Sequence, residues 1–525
     1  MSNQEVHPKS RSTLWLEAIS YRPVVAMLFL GFSAGIPILL IFSSLSLWLR
    51  EAGVERSAVT FFSWAALGYS FKFVWAPLVD QLPLPFLTNL LGRRRSWILL
   101  SQFLIMLSIV AMAITDPADG LSSLTAMAWF AVLLGFSSAT QDIVIDAYRI
   151  EAASPEWQGM MSSTYIAGYR IAMIIAGAGS LYLASGFGST AAEYQYSAWR
   201  LTYLIMAGMM FVGVLTTLLV SEPERNQSRD YPFAHTDYIR FLMAFLMAVL
   251  TFIAIFIVSR GLGLSLDSLF ENSFWNQPLG GFLVELIRLF ISAAGASVTA
   301  YLLVKFDWLN RDMVKQSYVL PIQDFFGRYG FKVAILLLML IGSYRISDIV
   351  LGIISNVFYQ DLGFSKVQIA DVVKVFGVIM TIVGSFVGGL MALRYGVLRI
   401  LFLGAVLSAL TNLLFLLLTV TGNNLTWLVV VISADNLSAG LASAAFVAFL
   451  SSLTNVSFTA MQFAIFTSMM TLLPKVLGGY SGSMVESIGY PGFFVMTTLM
   501  GIPVLVLIAV TGRYCQLGKF ELNSK

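Results

Sequence analysis

The chain has 525 residues, of which 58% are hydrophobic and 11% are charged. A mean hydropathy of +0.82 is far from the balance of a soluble domain and predicts an integral membrane protein, and the net charge of +3 is too small to indicate nucleic-acid binding. A single cysteine, Cys515, excludes an intramolecular disulfide and a cysteine-built metal site. The two histidines, His7 and His235, lie in polar segments, so we expect neither a metal site nor any other cofactor.

The first apolar run, residues 24–49, follows a basic segment that contains Lys9, Arg11 and Arg22. A signal peptide would have a shorter apolar core and a small-residue cleavage site, whereas this run is longer and lacks such a site. We therefore expect a retained transmembrane helix, preceded by a cytoplasmic segment over residues 1–23.

Further runs long enough to span a bilayer, which needs about 20 residues, continue along the chain. They predict an all-α membrane protein with fourteen transmembrane helices, at residues 24–49, 58–79, 97–115, 122–148, 159–187, 199–220, 241–258, 281–304, 331–358, 368–393, 398–420, 425–453, 456–474 and 491–511. The corresponding domains are a six-helix bundle over 24–220, cytoplasmic linkers with an inserted two-helix hairpin over 221–330, a second six-helix bundle over 331–511, and a cytoplasmic tail over 512–525.

The distribution of basic residues sets the expected orientation, because cytoplasmic loops are enriched in Lys and Arg. With the N-terminus inside, the predicted cytoplasmic segments hold twenty of the 31 Lys and Arg residues, and the opposite side holds six. This asymmetry predicts that both termini are cytoplasmic and that the tip of the inserted hairpin, residues 260–278, faces the periplasm.

An internal repeat supports the division into two bundles. Residues 46–57 resemble residues 356–367 at a shift of 310 residues, where an aromatic residue, an acid, a glycine and a base coincide. Two parallel six-helix repeats are the layout of the major facilitator superfamily.

A glycine and arginine pattern follows the second predicted helix of each repeat. In the first repeat it consists of Asp80, Gly92, Arg93, Arg94 and Arg95. The corresponding residues of the second repeat are Gly388, Gly389, Arg394, Gly396 and Arg399. The basic residues alone could reflect charge asymmetry. Their recurrence with glycines resembles the superfamily's loop motif between helices two and three, and we assign it, together with Arg149, to gating.

The stretch Gln141–Arg149 ends an apolar run with two carboxylates and an amide. On a helix, Asp142, Asp146 and Arg149 fall at i, i+4 and i+7 and share one stripe. Charge at membrane depth costs several kcal/mol per group, so it is rarely kept without a partner or a task. We expect substrate or protons to pass along this stripe.

Three segments carry a resemblance to a known family: residues 76–85, 91–97 and 139–149 are similar to the AmpG muropeptide permeases. The most specific part is the string Gln-Asp-Ile-x-x-Asp-x-Tyr at 141–148. The likeness is close over the first half of the chain and looser over the second, including the two extra helices between the halves.

The resemblance implies a major facilitator transporter in the inner membrane of a Gram-negative bacterium. Such a protein would import N-acetylglucosaminyl-1,6-anhydro-N-acetylmuramic acid and its peptide derivatives from the periplasm by proton symport. The physiological setting would be peptidoglycan recycling, with an influence on β-lactamase induction. The expected partners are anhydromuropeptides, protons and the lipid bilayer, and we expect a monomer.

A cavity for this substrate needs cations for carboxylates and adaptable donors for hydroxyls and amides. Lysines and arginines at membrane depth and polar residues on the same helices are the candidates: Lys72, Arg170, Arg345, Lys374, Gln141, Tyr165, Tyr169, Asn436 and Gln462. Each cation could equally belong to a structural ion pair, and Lys72 could instead extend to the cytoplasmic surface.

Proton coupling requires an acid whose pKa burial and neighbouring charges can shift into the working range. The candidates are Asp142, Asp146, Asp348 and Asp435, with Asp142 placed first. Asp348 lies three residues after Arg345 and could serve only in an intrahelical ion pair. Asp146 and Arg149 could instead form an ion pair that closes a cytoplasmic gate. Asp435 occupies the position in the second repeat that corresponds to Asp142 and Asp146 in the first.

Three other functions remain open at this point. Acetyl-coenzyme A transporters share parts of the same motifs, and other organic-anion, drug or sugar-phosphate transporters have the same fold. A membrane transferase would be expected to carry an Asp, Glu and His cluster in a long loop, whereas the loops here are short. We therefore expect a transporter rather than an enzyme.

Overall fold

The computed structural model describes residues 21–41, 43–54, 68–189, 193–223, 233–259, 277–364, 366–478 and 481–516. Four predicted features lie outside these ranges in whole or in large part: the N-terminal segment, the first half of the helix over 58–79, the hairpin tip and the last nine residues. The described residues form helices joined by turns, as the sequence predicts.

The helices are numbered in chain order, and several consist of consecutive helical segments. They are α1 (Arg22–Ile41 and Ser43–Glu51), α2 (Gly68–Phe71, Lys72–Val74 and Ala76–Gln81), α3 (Arg93–Ala113), α4 (Leu121–Ala152), α5 (Gln158–Ile174, Ile175–Gly179 and Ser180–Gly186), α6 (Tyr196–Met209 and Phe211–Leu219), α7 (His235–Val258), α8 (Gln277–Lys305), α9 (Leu320–Ser343 and Ile346–Asp361), α10 (Lys366–Ile369, Ala370–Phe376 and Gly377–Tyr395), α11 (Val397–Thr421), α12 (Leu425–Leu453), α13 (Thr459–Gly478) and α14 (Ser481–Gln516).

Within the described ranges, eleven helices are long and apolar enough to cross a membrane, and Phe290–Lys305 and Val456–Thr471 are shorter apolar helices. The all-helical class is therefore confirmed, while the count of fourteen spans stays a prediction. The close succession of α12 and α13 is seen directly, because Thr454, Asn455 and one 3₁₀ turn, Val456–Phe458, separate them.

α2 is broken where the sequence predicts one continuous helix. Lys72–Val74 form a 3₁₀ turn, and Trp75 (φ −110°, ψ −1°) precedes the segment Ala76–Gln81. Pro77 explains the break, because in a continuous helix it would have no N–H to donate and its ring would clash with the carbonyl group four residues earlier. Lys72 is thus presented from a tight turn.

The chain also becomes helical earlier than expected before the second bundle. The predicted linker contains the helical turns Arg311–Val314 and Lys315–Val319, which lead into α9. Gly330 kinks α9 with φ 69°, a conformation that glycine adopts without steric cost. The segment that precedes this kink carries Asp324 and Arg328, whose contacts are described below.

The chain divides into two compact units, one comprising Met1–Val79, Leu84–Arg225 and Asp324–Lys525, and the other Asp80–Pro83 and Asn226–Gln323. In the smaller unit, α7 packs against α8. The guanidinium of Arg288 on α8 donates to the carbonyl oxygen of Phe256 (2.6 Å) and to Oγ of Ser259 (3.3 Å). Arg288 therefore caps the C-terminal end of α7, a stabilising position for a cation.

In the larger unit, the internal repeat reappears as a shared structural role. Glu51 at the end of α1 accepts a hydrogen bond from Nε1 of Trp199 on α6 (2.7 Å). Asp361, 310 positions later at the end of α9, accepts one from the hydroxyl of Tyr490 on α14. Each repeat thus ties the end of its first helix to the start of its last one.

Glycines let pairs of helices approach closely in both halves of this unit. A Cβ on Gly31 of α1 would collide with the carbonyl of Tyr165 on α5, and one on Gly384 of α10 would collide with the carbonyl of Leu437 on α12. Small residues at membrane helix interfaces permit such contacts. The α1–α5 contact holds the polar face of α5 in place.

Candidate functional site

The polar stripe of α4 lies inside the protein. Asp142 and Asp146 are each 8% exposed, and Arg149 is fully buried. The hydroxyl of Tyr165 on α5 donates to Oδ1 of Asp142 at 3.4 Å. Lys72 and Asp146 act on Asp142 electrostatically, but Lys72 forms its ion pair with Asp146 rather than with Asp142.

Asp146 is instead the acid that the cations share. Its carboxylate lies 3.6 Å from Nζ of Lys72 and 3.5 Å from Nη2 of Arg149. The turn in α2 therefore delivers Lys72 to α4, where it is 7% exposed, rather than to the membrane surface. Two cations around one carboxylate offset the cost of burying all three charges.

Aromatic hydroxyls surround this cluster. The rings of Tyr165 and Tyr169 lie 6.0 Å apart on successive turns of α5. Tyr69 on α2 donates a hydrogen bond to Oγ of Ser138 (2.6 Å), and the charge of Asp142 acts on both Tyr69 and Tyr169. Tyr69 is not among the predicted site residues, although its spacing of three residues from Lys72 puts the two on one helical face.

A second charged cluster lies in the other half. Arg345 lies in the turn between the two segments of α9. It makes an ion pair with Asp348 (Nε to Oδ2, 3.2 Å) at the i, i+3 spacing that the sequence predicts, and it donates to Oγ of Ser443 on α12 (2.5 Å). Asp348 also accepts a hydrogen bond from Ser408 on α11. Asp435 on α12 accepts one from Thr411 at 3.4 Å.

Arg170 on α5 lies within electrostatic range of Arg345 in the other half. Its guanidinium lies 3.7 Å from Sδ of Met173, and the charge of Arg345 acts on it. Within the ranges that the structure describes, Arg170 forms no ion pair with an acid. A half-buried cation from each half therefore faces the same interior region.

Four predicted site residues have other surroundings. Gln141 donates to Oγ of Ser33 on α1 (2.7 Å), so it ties α4 to α1. Asn436 bonds Thr381 (3.0 Å) and its own helix. Lys374 is exposed on the π-helical turn Ala370–Phe376, and Gln462 bonds Asp324 and Arg328.

The gate end is the end of the bundle where residues 93–95, 149–163 and 451–463 meet. Arg94, 1% exposed, donates to both carboxylate oxygens of Glu151 (3.0 and 2.6 Å) and to Oγ1 of Thr459 on α13 (2.6 Å). Thr459 also bonds Glu151 (2.6 Å), and Arg93 lies 3.2 Å from the same acid. This bidentate pair is charge-assisted, and Thr459, which bonds both of its members, joins the C-terminal half to it.

Arg149 makes a second link between the halves. Its Nη1 donates to Oγ of Ser451 on α12 (2.8 Å) and to Gln158 (3.1 Å), and its guanidinium lies 5.1 Å from the ring centroid of Phe463. Since the same side chain pairs with Asp146, one arginine connects the charged cluster of α4 to the gate.

A backbone contact completes the gate. Oγ of Ser163 on α5 donates to the carbonyl oxygen of Ser385 on α10 (2.7 Å). A Cβ on Gly389 would clash with Ser163, and one on Gly159 would lie 3.1 Å from the carbonyl oxygen of Gly389. The two halves are therefore in direct contact at this end.

The remaining motif residues shape the start of α3. Gly92 has φ +88°, and Glu222 accepts hydrogen bonds from the backbone N–H groups of Arg94 (2.8 Å) and Arg95 (3.1 Å). This carboxylate caps a helix N-terminus, where negative charge is favoured. Asp80 lies in the last turn of the segment Ala76–Gln81.

Sequence reasoning did not single out Glu151 or Glu222. A signal was available, because three consecutive arginines at a helix start require acids, and both glutamates follow predicted helices on the same side of the membrane. Which acid meets which arginine depends on tertiary packing between residues 57 and 128 positions apart.

Comparison with known proteins identifies the family. A family model described as Acetyl-coenzyme A transporter 1 matches residues 24–240. The Putative transporter AmpG 4 of Rickettsia conorii is 30% identical over 479 residues, which cover 91% of this chain and 94% of that protein. The chain belongs to the AmpG family. Another AmpG relative, the Anhydromuropeptide permease of Escherichia coli K12, is 27% identical over 92% of this chain and 78% of its own length.

Solved structures establish the fold of this AmpG family member. The proton:xylose symporter XylE superposes with a TM-score of 0.58 at 11% identity, covering 98% of both chains. The Escherichia coli fucose:proton symporter FucP gives 0.56 at 10% identity, covering 94% of this chain and 98% of that one. The predicted major facilitator fold is confirmed. The protein is a multi-pass membrane transporter and not an enzyme.

Proposed function

We propose that this transporter imports N-acetylglucosaminyl-1,6-anhydro-N-acetylmuramic acid and its peptide derivatives from periplasm to cytoplasm by proton symport. It would lie in the bacterial inner membrane and serve peptidoglycan recycling, through which it would influence β-lactamase induction. The observation that carries the proposal is the pair Arg170 and Arg345, one from each half, next to the acidic clusters of α4 and α9. The similarity to the permease of Escherichia coli supports the choice of substrate.

The substrate's carboxylates match the two arginines. A cation within a membrane span needs a counter-charge, and the described residues give Arg170 no acidic partner. A carboxylate bound between Arg170 and Arg345 would relieve their mutual repulsion and accept charge-assisted hydrogen bonds. Tyr165 and Tyr169 present ring faces and hydroxyls of the kind that suit a sugar.

The gate end is proposed to be the cytoplasmic end. It carries Arg93, Arg94, Arg95 and Arg149, and cytoplasmic segments of membrane proteins are rich in such residues. A protein closed at this end would receive substrate from the periplasm. Breaking the links of Glu151 and Arg149 to α12 and α13 would then release substrate to the cytoplasm.

Counterflow of labelled disaccharide in proteoliposomes tests the substrate. Vesicles preloaded with the unlabelled disaccharide should transiently take up the label, and the same vesicles without protein should not. Absence of counterflow with correctly folded protein would remove the anhydro-disaccharide as substrate.

Acetyl-coenzyme A transport is the second candidate, because the matching family model over residues 24–240 carries that description. Its phosphates would also require cations, which the arginine pair could supply. Competition separates the two: an excess of acetyl-coenzyme A should leave disaccharide counterflow unchanged, whereas displacement of the label would favour the alternative.

A further inference from the structure

The four acids of the transport site fall into two matched pairs. In each half, one acid has a cationic partner: Asp146 pairs with Lys72 and Arg149, and Asp348 pairs with Arg345 and also accepts a hydrogen bond from Ser408. The other acid of each half, Asp142 or Asp435, accepts one long hydrogen bond of 3.4 Å from a hydroxyl, that of Tyr165 or Thr411. The same division of roles therefore occurs twice.

The two less satisfied acids have no ion-pair partner among the residues that the structure describes. Asp142 faces Tyr69 and Lys72 on α2, Tyr165 and Tyr169 on α5, and Asp146 on its own helix. Asp435 faces Thr411 on α11, and Arg345, Asp348 and Tyr359 on α9. Each has a cation in its surroundings, and in each case that cation is engaged by the neighbouring acid.

An ionised carboxylate in such surroundings is costly, because it is desolvated without a close counter-charge. Taking up a proton removes that cost. An acid that is already paired with a cation gains nothing comparable, since protonation would break its ion pair. The paired acids therefore hold the cations in place, and the unpaired acids are the groups suited to carry protons.

We propose that Asp142 and Asp435 each bind one proton, so that two protons accompany each substrate molecule. Each carboxylate takes up its proton while the site is open to the periplasm and releases it after the gate end opens. The inference rests on the proposed proton symport and adds its stoichiometry and the second carrier. It assigns Asp146 and Asp348 to positioning Lys72, Arg149 and Arg345.

The stoichiometry follows from a reversal measurement in proteoliposomes with the membrane potential held at zero by valinomycin and equal potassium. With the exterior one pH unit more acidic, the net flux of labelled disaccharide should vanish at an inside-to-outside concentration ratio of about 100 for two protons and about 10 for one. We call this the reversal ratio, because the net flux changes direction there. For the wild-type protein it should be near 100. Reversal of the wild type near tenfold would overturn the inference and leave proton symport standing, whereas no effect of pH would overturn the symport itself.

Variants then assign the two carriers. The reversal ratio of Asp142→Asn and of Asp435→Asn should be near 10. The control Asp361→Asn alters an acid at the far end of α9 and should keep the wild-type reversal ratio. Disaccharide exchange shows that each variant is folded and binds substrate. A hundredfold ratio in exchange-competent Asp435→Asn protein would remove Asp435 as a carrier. If a variant fails to exchange, the wild-type ratio still decides the number of protons.

Discussion

The two halves of the transporter contain similar charges but connect them to the gate differently. In the N-terminal half the charges form a chain: Lys72 and Arg149 share Asp146, and Arg149 continues to Ser451 across the gate. In the C-terminal half the cluster around Arg345 is separated from the gate by the buried apolar stretch of α12 that includes Phe446, Phe449 and Leu450. The N-terminal half therefore links the transport site to the gate. The C-terminal half contributes the hydroxyls of Ser451 and Thr459 and the ring of Phe463, which Arg149 and Arg94 contact.

The C-terminal half has its own network at the gate end, and it holds a loop in place. Arg328 on α9 pairs with Asp324 (2.9 Å) and donates to the carbonyl oxygen of Leu453 (3.0 Å), and Gln462 bonds both Asp324 and Arg328. These residues fix the turn between α12 and α13, which carries Thr459 to Glu151. The Arg328–Asp324 pair thus positions the C-terminal side of the gate and makes no contact with the transport-site acids.

The largest effect is expected from Glu151→Gln. The substitution leaves the guanidinium of Arg94 buried without its carboxylate, and removing one member of a buried pair costs about 3–5 kcal/mol. The closed gate should lose stability, so a cysteine placed at buried Ala460, in a Cys515→Ser background, should react with a thiol reagent at least about tenfold faster. Uptake of substrate should fall by a similar factor.

The control for this prediction is Asp307→Asn, which neutralises an acid in an exposed ion pair with Arg311. It should change neither labelling nor uptake. Equal labelling rates in Glu151→Gln and wild type would contradict the role of the Arg94–Glu151 pair in closing the gate.

An intermediate effect is expected at the arginine pair. Arg170→Gln removes a charge-assisted hydrogen bond to a substrate carboxylate, a loss of about 1.5–3 kcal/mol or roughly tenfold to hundredfold in affinity. The loss should be larger for peptide-bearing substrate than for the disaccharide. The matched control is Lys374→Gln, because Lys374 is exposed, and its KM should stay close to that of the wild type. Equal losses in both variants would return Arg170 to a structural role.

The smallest effect is expected from Arg328→Gln. The side chains of Arg328 and Asp324 are 25% and 21% exposed, so solvent screening limits the pair to about 1 kcal/mol or less. Thermal unfolding should shift by only a few degrees or less, and the reversal ratio should not change. A loss of uptake as severe as that of Glu151→Gln would show that the C-terminal half controls the gate as strongly as the N-terminal half.

Local sequence rules predicted the features that depend on near neighbours. Apolar runs predicted the helices. The spacing of Asp142, Asp146 and Arg149 predicted a buried stripe, and the i, i+3 spacing of Arg345 and Asp348 predicted their ion pair. The break in α2 was also readable, because Pro77 stands inside the run that was assigned as one helix. These features need no knowledge of which helices are neighbours.

Partners that come from distant parts of the chain could not be predicted in this way. Gln141 is predicted to meet substrate, and its amide nitrogen also donates to Ser33, 108 positions away, a partner that the sequence does not indicate. Gln462 was placed in the same site, but it bonds Asp324, 138 positions away. A side-chain amide can hydrogen-bond a sugar or a neighbouring helix equally well. Only the packing of α1 on α4, or of α9 on α13, shows which partner a given amide has.

The central claim, proton-driven uptake through Asp142 and Asp435, is tested most directly by accumulation of labelled disaccharide in proteoliposomes with an acidic exterior. The account predicts that the wild-type protein accumulates label above the external concentration and loses it when a protonophore collapses the gradient. The double variant Asp142→Asn and Asp435→Asn should exchange labelled for unlabelled disaccharide without accumulating it. Accumulation by the double variant at the wild-type level would contradict the account, as would a wild-type protein that exchanges the disaccharide but never concentrates it.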